Sequence, residues 1–211
     1  TLSYAKKFSS SISGGMNLKI VSQSISNVGA QGVAIDAGIR YVTGEQDNIK
    51  FAISLKNVGP PMSFSGDGLS LDILNPSTSL SIGMVQRSSS FELPSQLCIG
   101  TSYDFIFSEN SIITAAGSFS ANSFSRDQFH FGLNWKVKTE KASFGLMGGF
   151  VYEQGIFDSN EMATALSGPC GGFSFDFPFG DSGSNLGLNY AYRQSVLGGI
   201  HTVGGRINIG N

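Results

Sequence analysis

The side chains best suited to bind a metal or act as nucleophiles are His130, His201, Cys98 and Cys170. His130 lies on the polar phase of a strand-like stretch and His201 at the start of another. Neither has a second ligand at the spacing a zinc site requires. The cysteines fit no metal spacing; a disulfide between them is compatible with an oxidising compartment, but the spacing does not call for one. Asp36 and Arg40 share a strand face four residues apart, about 13 Å along it, which suits cross-strand pairing better than a catalytic set. Asp158, Glu161 and Asp176 are scattered, with no sign of a paired acid and base. There is no Gly-x-Ser-x-Gly elbow and no phosphate-binding glycine loop. No enzyme, cofactor or metal centre is expected.

A different set emerges by phase. Asp36, Arg40, Lys50, Lys56, Asp104, Asn134, Lys136, Arg193 and Arg206 all fall on the polar side of alternating segments. The set leans basic. As the lining of a barrel lumen it has two uses. It can fill a plugged interior with cross-strand ion pairs, or it can border a path for an amphipathic or anionic solute. Glycines on the same phase (Gly100, Gly132, Gly145, Gly187 and Gly204) permit sharp curvature or close approach of a plug.

These residues are positioned by strands. In Gln128 to Lys138, QFHFGLNWKVK, five apolar residues alternate with small, polar or charged ones. That period-2 pattern makes a strand with one apolar and one polar face. In a soluble sandwich the apolar face meets a second sheet; in an outer-membrane barrel it meets lipid. Similar alternation gives eleven strands along the chain, and no segment carries a convincing helical period. Leu69–Ile73 and Leu80–Met84 could form an additional hairpin inside a Gly-, Pro- and Ser-rich excursion at 65–94, and the strand from Ile49 could run on to Phe64.

Composition favours the membrane. Charged residues make up 13% of the chain, against about 25% in soluble proteins, while Gly (28) and Phe (17) are abundant. No apolar run reaches the ~18 residues of a membrane-spanning helix. Net charge is −2 with no basic run, so nucleic acid is not an expected partner. The chain opens at Thr1 within a strand-like pattern and is expected to be a processed or partial sequence.

Connections alternate in length. Short ones are expected at 9–10, 44–48, 108–110, 139–141 and 180–183, and longer ones at 22–30, 65–94, 122–127, 154–169 and 194–199. Outer-membrane barrels pair short periplasmic turns with longer extracellular loops. Tyr41, Phe107, Trp135, Tyr152, Phe179 and Tyr192 sit toward strand ends, as interfacial girdles do. Together these readings give an all-β fold: an antiparallel transmembrane β-barrel over residues 1–211, with 65–94 as an inserted extracellular excursion.

Several stretches resemble the PorV/PorQ family of FadL-like outer-membrane proteins of the type IX secretion system. They are Asp36–Tyr41 (DAGIRY), Ile53–Phe64 (ISLKNVGPPMSF), Leu93–Phe105 (LPSQLCIGTSYDF), Gly168–Phe173 (GPCGGF), Leu188–Arg193 (LNYAYR) and Gly199–Gly204 (GIHTVG). Their order and spacing match over nearly the whole chain. The resemblance implies a barrel of about 14 strands when complete, an N-terminal part missing here, and location in the bacterial outer membrane. It implies no catalysis. The expected partners are outer-membrane lipids and other secretion subunits or the C-terminal domains of secreted cargo, contacted through 65–94 and 154–169. The long excursion departs from the family pattern. The alternative is a FadL-like channel for hydrophobic solutes.

Overall fold

A computed structural model describes residues 1–74, 81–158, 164, 166–179, 184–195 and 198–209. Thirteen strands run in chain order: β1 (Leu2–Lys7), β2 (Ile12–Ile25), β3 (Val28–Thr43), β4 (Ile49–Val58), β5 (Ser70–Leu74), β6 (Ser81–Val85), β7 (Gln96–Ser108), β8 (Ser111–Asn122), β9 (Gln128–Lys138), β10 (Ser143–Glu153), β11 (Gly168–Phe179), β12 (Ser184–Ser195) and β13 (Gly198–Asn208). Eleven of them form one antiparallel sheet in which each strand pairs with its neighbour in sequence, with β1 and β13 at the edges. β5 and β6 form a separate hairpin within the 65–94 excursion, pairing Leu71 with Met84 and Ile73 with Ile82.

Burial along β2, β3, β7 and β9 is inverted relative to a soluble protein, while the edge strands β1 and β13 are exposed on almost every residue. In β9 the apolar Phe129, Phe131, Leu133 and Trp135 are exposed, while His130, Gly132 and Asn134 between them are half-buried. Leu133 is 60% exposed and Val203 on β13 is 78% exposed. Side chains on the concave side of a curled sheet converge and lose accessibility, so the polar face is the concave one. The convex face is a continuous apolar surface that water would not tolerate and lipid would.

Among the described residues the buried core is small and lies to one side. Ala30 and Ala34 of β3 pack with Met62 and Leu93, and Val21, Phe64 and Phe91 close around them. Met62, Phe91 and Leu93 come from the β4–β7 connection. β4 stops at Val58 rather than running on to Phe64, because Pro60 and Pro61 have no N–H to continue a ladder. The chain then folds back over the polar face of β3. Gly29 pairs with Ser65, and Met62 pairs with Phe91. A Cβ on Gly32 would lie 2.6 Å from Met62 Cγ, so a larger residue there would force the Met62 side chain to shift.

Two expected long loops are strand over most of their described residues. β2 and β3 continue to Ile25 and Val28, leaving only Ser26 and Asn27 to turn the chain, with Ser26 at φ 51°. Residues 22–27 carry no alternation because they are exposed on both sides of the hairpin, yet its backbone ladder is complete. At 194–199, Ser195 pairs directly with Gly198. β3 has 16 residues, roughly five more than the ~9–11 a tilted strand needs to cross a membrane, so the β2–β3 hairpin projects beyond it. The long–short alternation therefore rests on 59–95, 123–127 and 154–167. The turn expected at 180–183 lies outside the described residues, as do 75–80, 159–163 (with Glu161), 165 and 196–197 of the loop expected at 194–199.

Candidate functional site

Among the described residues the polar face carries three ion pairs, two between neighbouring strands and one across an intervening strand. Lys19 on β2 meets Asp36 on β3 at 2.6 Å. Lys50 on β4 pairs with Asp104 on β7. Arg206 on β13 donates to Asp176 on β11 at 2.7 Å, reaching across β12 over Gly187, whose missing side chain leaves the gap.

Asp36 does more than pair. Its Oδ1 accepts the backbone N–H of Asn57 at 2.9 Å, and Asn17 donates at 3.3 Å to Oδ2, the oxygen that Lys19 also meets. Asn57 has φ 56°, beside the register shift between Ile35 and Ala37. Asparagine tolerates this left-handed conformation better than most residues. Its side-chain amide donates to Pro94 O at 2.9 Å, and its carbonyl accepts from Lys19 at 3.0 Å. This cluster ties β2, β3 and β4 to the end of the β4–β7 connection at Pro94.

Asp104 also accepts from Thr114 Oγ1 at 2.7 Å. Near it the register runs straight across five strands: Arg40 opposes Ala52, Ala52 opposes Gly100, Gly100 opposes Ser118, and Ser118 opposes His130. A cavity of about 550 Å³ lies over this row. A second cavity, about 360 Å³, is bounded by Asn134, Lys136, Asp176 and Arg206.

Arg40, Asp104 and Lys50 thus gather at one place on the polar face, and Asn134, Lys136 and Arg206 at another. Lys56 stands apart, exposed opposite Gln96. Arg193 is also separate, donating to Leu166 O at 3.3 Å. Phase alone missed Lys19, Asn17, Asn57 and Thr114, since cross-strand partners emerge only once register is fixed. It also missed Glu153, which is fully buried. The Glu153 carboxylate accepts from Gln128 at 3.1 Å and from the N–H and hydroxyl of Thr164 at 3.0 and 2.6 Å, drawing the 154–167 connection against the polar face.

The histidines lie on opposite faces and cannot share a ligand. His201 belongs to the apolar face, where its Nδ1 shares a 2.7 Å hydrogen bond with Tyr190 Oη and its ring lies 5.1 Å from that of Tyr192. Cys98 and Cys170 are both free. They sit on β7 and β11 with three strands between, four spacings of ~4.8 Å or about 19 Å along the wall, and a disulfide needs Cα atoms within ~7 Å.

No protein-family model and no curated protein matches this sequence. Among solved structures, the CymD monoaromatic hydrocarbon channel is similar over 97% of this chain and 70% of its own, with a TM-score of 0.50 and 12% sequence identity. That likeness bears on the fold and lends no specific support to the PorV/PorQ resemblance. With strands ordered by sequence, an exposed apolar face and an ion-paired polar face, the chain has the fold of a FadL-like antiparallel transmembrane β-barrel.

Proposed function

We propose that the protein is a bacterial outer-membrane channel that passes small hydrophobic molecules and catalyses no reaction. The observation that carries this reading is the inverted burial: an apolar face offered to lipid and a polar, glycine-dotted face turned inward. In a barrel the inward face lines the lumen. Asp36, Arg40, Asp104, Asn134 and Lys136 then border the path, and the cavities over the polar face are room for a solute. The strap at 59–65, seated on Ala30 and Ala34, narrows one side of the extracellular mouth. The likeness to a channel for monoaromatic hydrocarbons supports the same reading.

The test is initial uptake of labelled toluene by bacteria whose lipopolysaccharide leaflet is intact, with and without the full-length protein. Faster uptake with the protein is expected; equal rates contradict the channel.

A second reading, a type IX secretion component binding cargo C-terminal domains or other subunits, draws on one feature. The β5–β6 hairpin stands off the sheet with Leu71, Ile73, Ile82 and Met84 exposed, an apolar surface of the kind that docks proteins. Co-purification of secretion subunits from mild detergent, lost on deleting residues 70–85, would favour it over the channel.

A further inference from the structure

The row from Arg40 to His130 has the makings of a ligand site. Its two ends are cationic or polar, and its floor is small: Ala52, Gly100 and Ser118. The cavity above it, about 550 Å³, falls within the ~300–1,000 Å³ range of small-molecule pockets.

The charges there do not cancel. Asp104 is the carboxylate facing this cavity's cations, and it is already held by Lys50 and Thr114. Asp36, further along β3, is held by Lys19. Arg40 is exposed and interacts with Asp104 only through space, with no ion pair or hydrogen bond among the described residues; two cations face this one carboxylate, so one positive charge is left over. At the other end, His130 Nδ1 is shielded from solvent and has no hydrogen-bond partner among the described residues. A shielded polar atom without a partner is costly, and a ligand that supplies one removes that cost. A neutral hydrocarbon would satisfy neither end. A carboxylate matches the planar fork of an arginine, and a flat apolar body can lie on a floor without bulky side chains.

Resting on the channel reading, we propose that the Arg40–His130 row binds a small aromatic carboxylate on its way through the lumen. Arg40 takes the carboxylate and the small floor beside it takes the ring; His130, four strand spacings or about 19 Å along the wall from Arg40, takes the polar far end of a longer ligand.

Titration calorimetry of the full-length protein in detergent with benzoate tests the site. Wild type is expected to bind benzoate, and Arg40→Gln to weaken binding by about tenfold or more, the effect of one lost charge-assisted contact. Lys141→Gln, which removes a positive charge from the β9–β10 turn, is expected to bind as wild type does. Retained heat-modifiable gel migration shows that each variant is folded. Absence of benzoate binding by wild type, or equal binding by Arg40→Gln, overturns the site. The toluene uptake measurement judges the channel separately: protein-dependent uptake without benzoate binding sinks the site and leaves the channel standing.

Discussion

Leu133 and Asn134 are neighbours in β9, yet the leucine is 60% exposed and the asparagine is half-buried. In a water-soluble sheet the order would be reversed. Arginine at position 133 would stand in hydrocarbon, where a charge near the midplane costs about 2–4 kcal/mol. Asn134→Ala removes a polar group from a wetted cavity and is expected to cost under about 1 kcal/mol. Urea titration of folding into lipid vesicles measures both. Equal effects would mean that the two faces do not meet different solvents.

The strap predicts a suppressor pair. Gly32→Ala would drive a methyl into Met62, and overpacking of this kind costs roughly 1–3 kcal/mol. Shortening Met62 to alanine in the same chain should recover part of that loss, because the clash is gone. The temperature at which the folded band disappears on gels is the readout. A double variant no better than the sum of the two singles would show that the strap does not sit on Gly32.

Lys19 and Asp36 should be coupled. Their side chains are 28% and 14% exposed, so water screens the pair only in part. A double-mutant cycle with Lys19→Met and Asp36→Asn is expected to give an interaction of roughly 1–2 kcal/mol. Asp36→Asn alone should be the worse single change, since it also weakens the hold on the Asn57 backbone N–H. A coupling near zero would mean that the pair is a surface contact worth little.

Much of this architecture was legible in the sequence, because alternation reports directly on a wall with two solvents. Phe129 to Val137 read as strand, and all eleven wall strands were found, along with the hairpin in the excursion. What was not legible had no periodic signal. Ser22 to Ser26 looked like a loop, since polarity on both faces erases the alternation while leaving the ladder intact. The cluster of Lys19, Asp36 and Asn57 depends on a bulge and on register, and neither is written in composition. Met62 looked like part of a strand; its place as the strap's anchor follows from two prolines and a glycine 30 residues upstream.

Cys98 and Cys170 offer a chemical check on the wall. Both lie on the polar face, and a disulfide between them is ruled out by about 19 Å of intervening strands. Copper-phenanthroline treatment should leave gel migration unchanged without reductant. An internal cross-link would mean that β7 and β11 are closer than this register allows.

The central claim is that one face of the wall meets lipid and the other lines the solute path. A scan of single cysteines from Phe129 to Lys138, in a Cys98→Ser, Cys170→Ser background and reconstituted in lipid vesicles, tests it most directly. With a fluorescent label at each position, residues 129, 131, 133, 135 and 137 should be quenched by brominated lipid. Residues 130, 132, 134, 136 and 138 should react with a water-soluble methanethiosulfonate reagent, giving a period of two. Uniform aqueous reactivity along the strand, with no lipid quenching at 131 or 133, would contradict the membrane barrel and the channel with it.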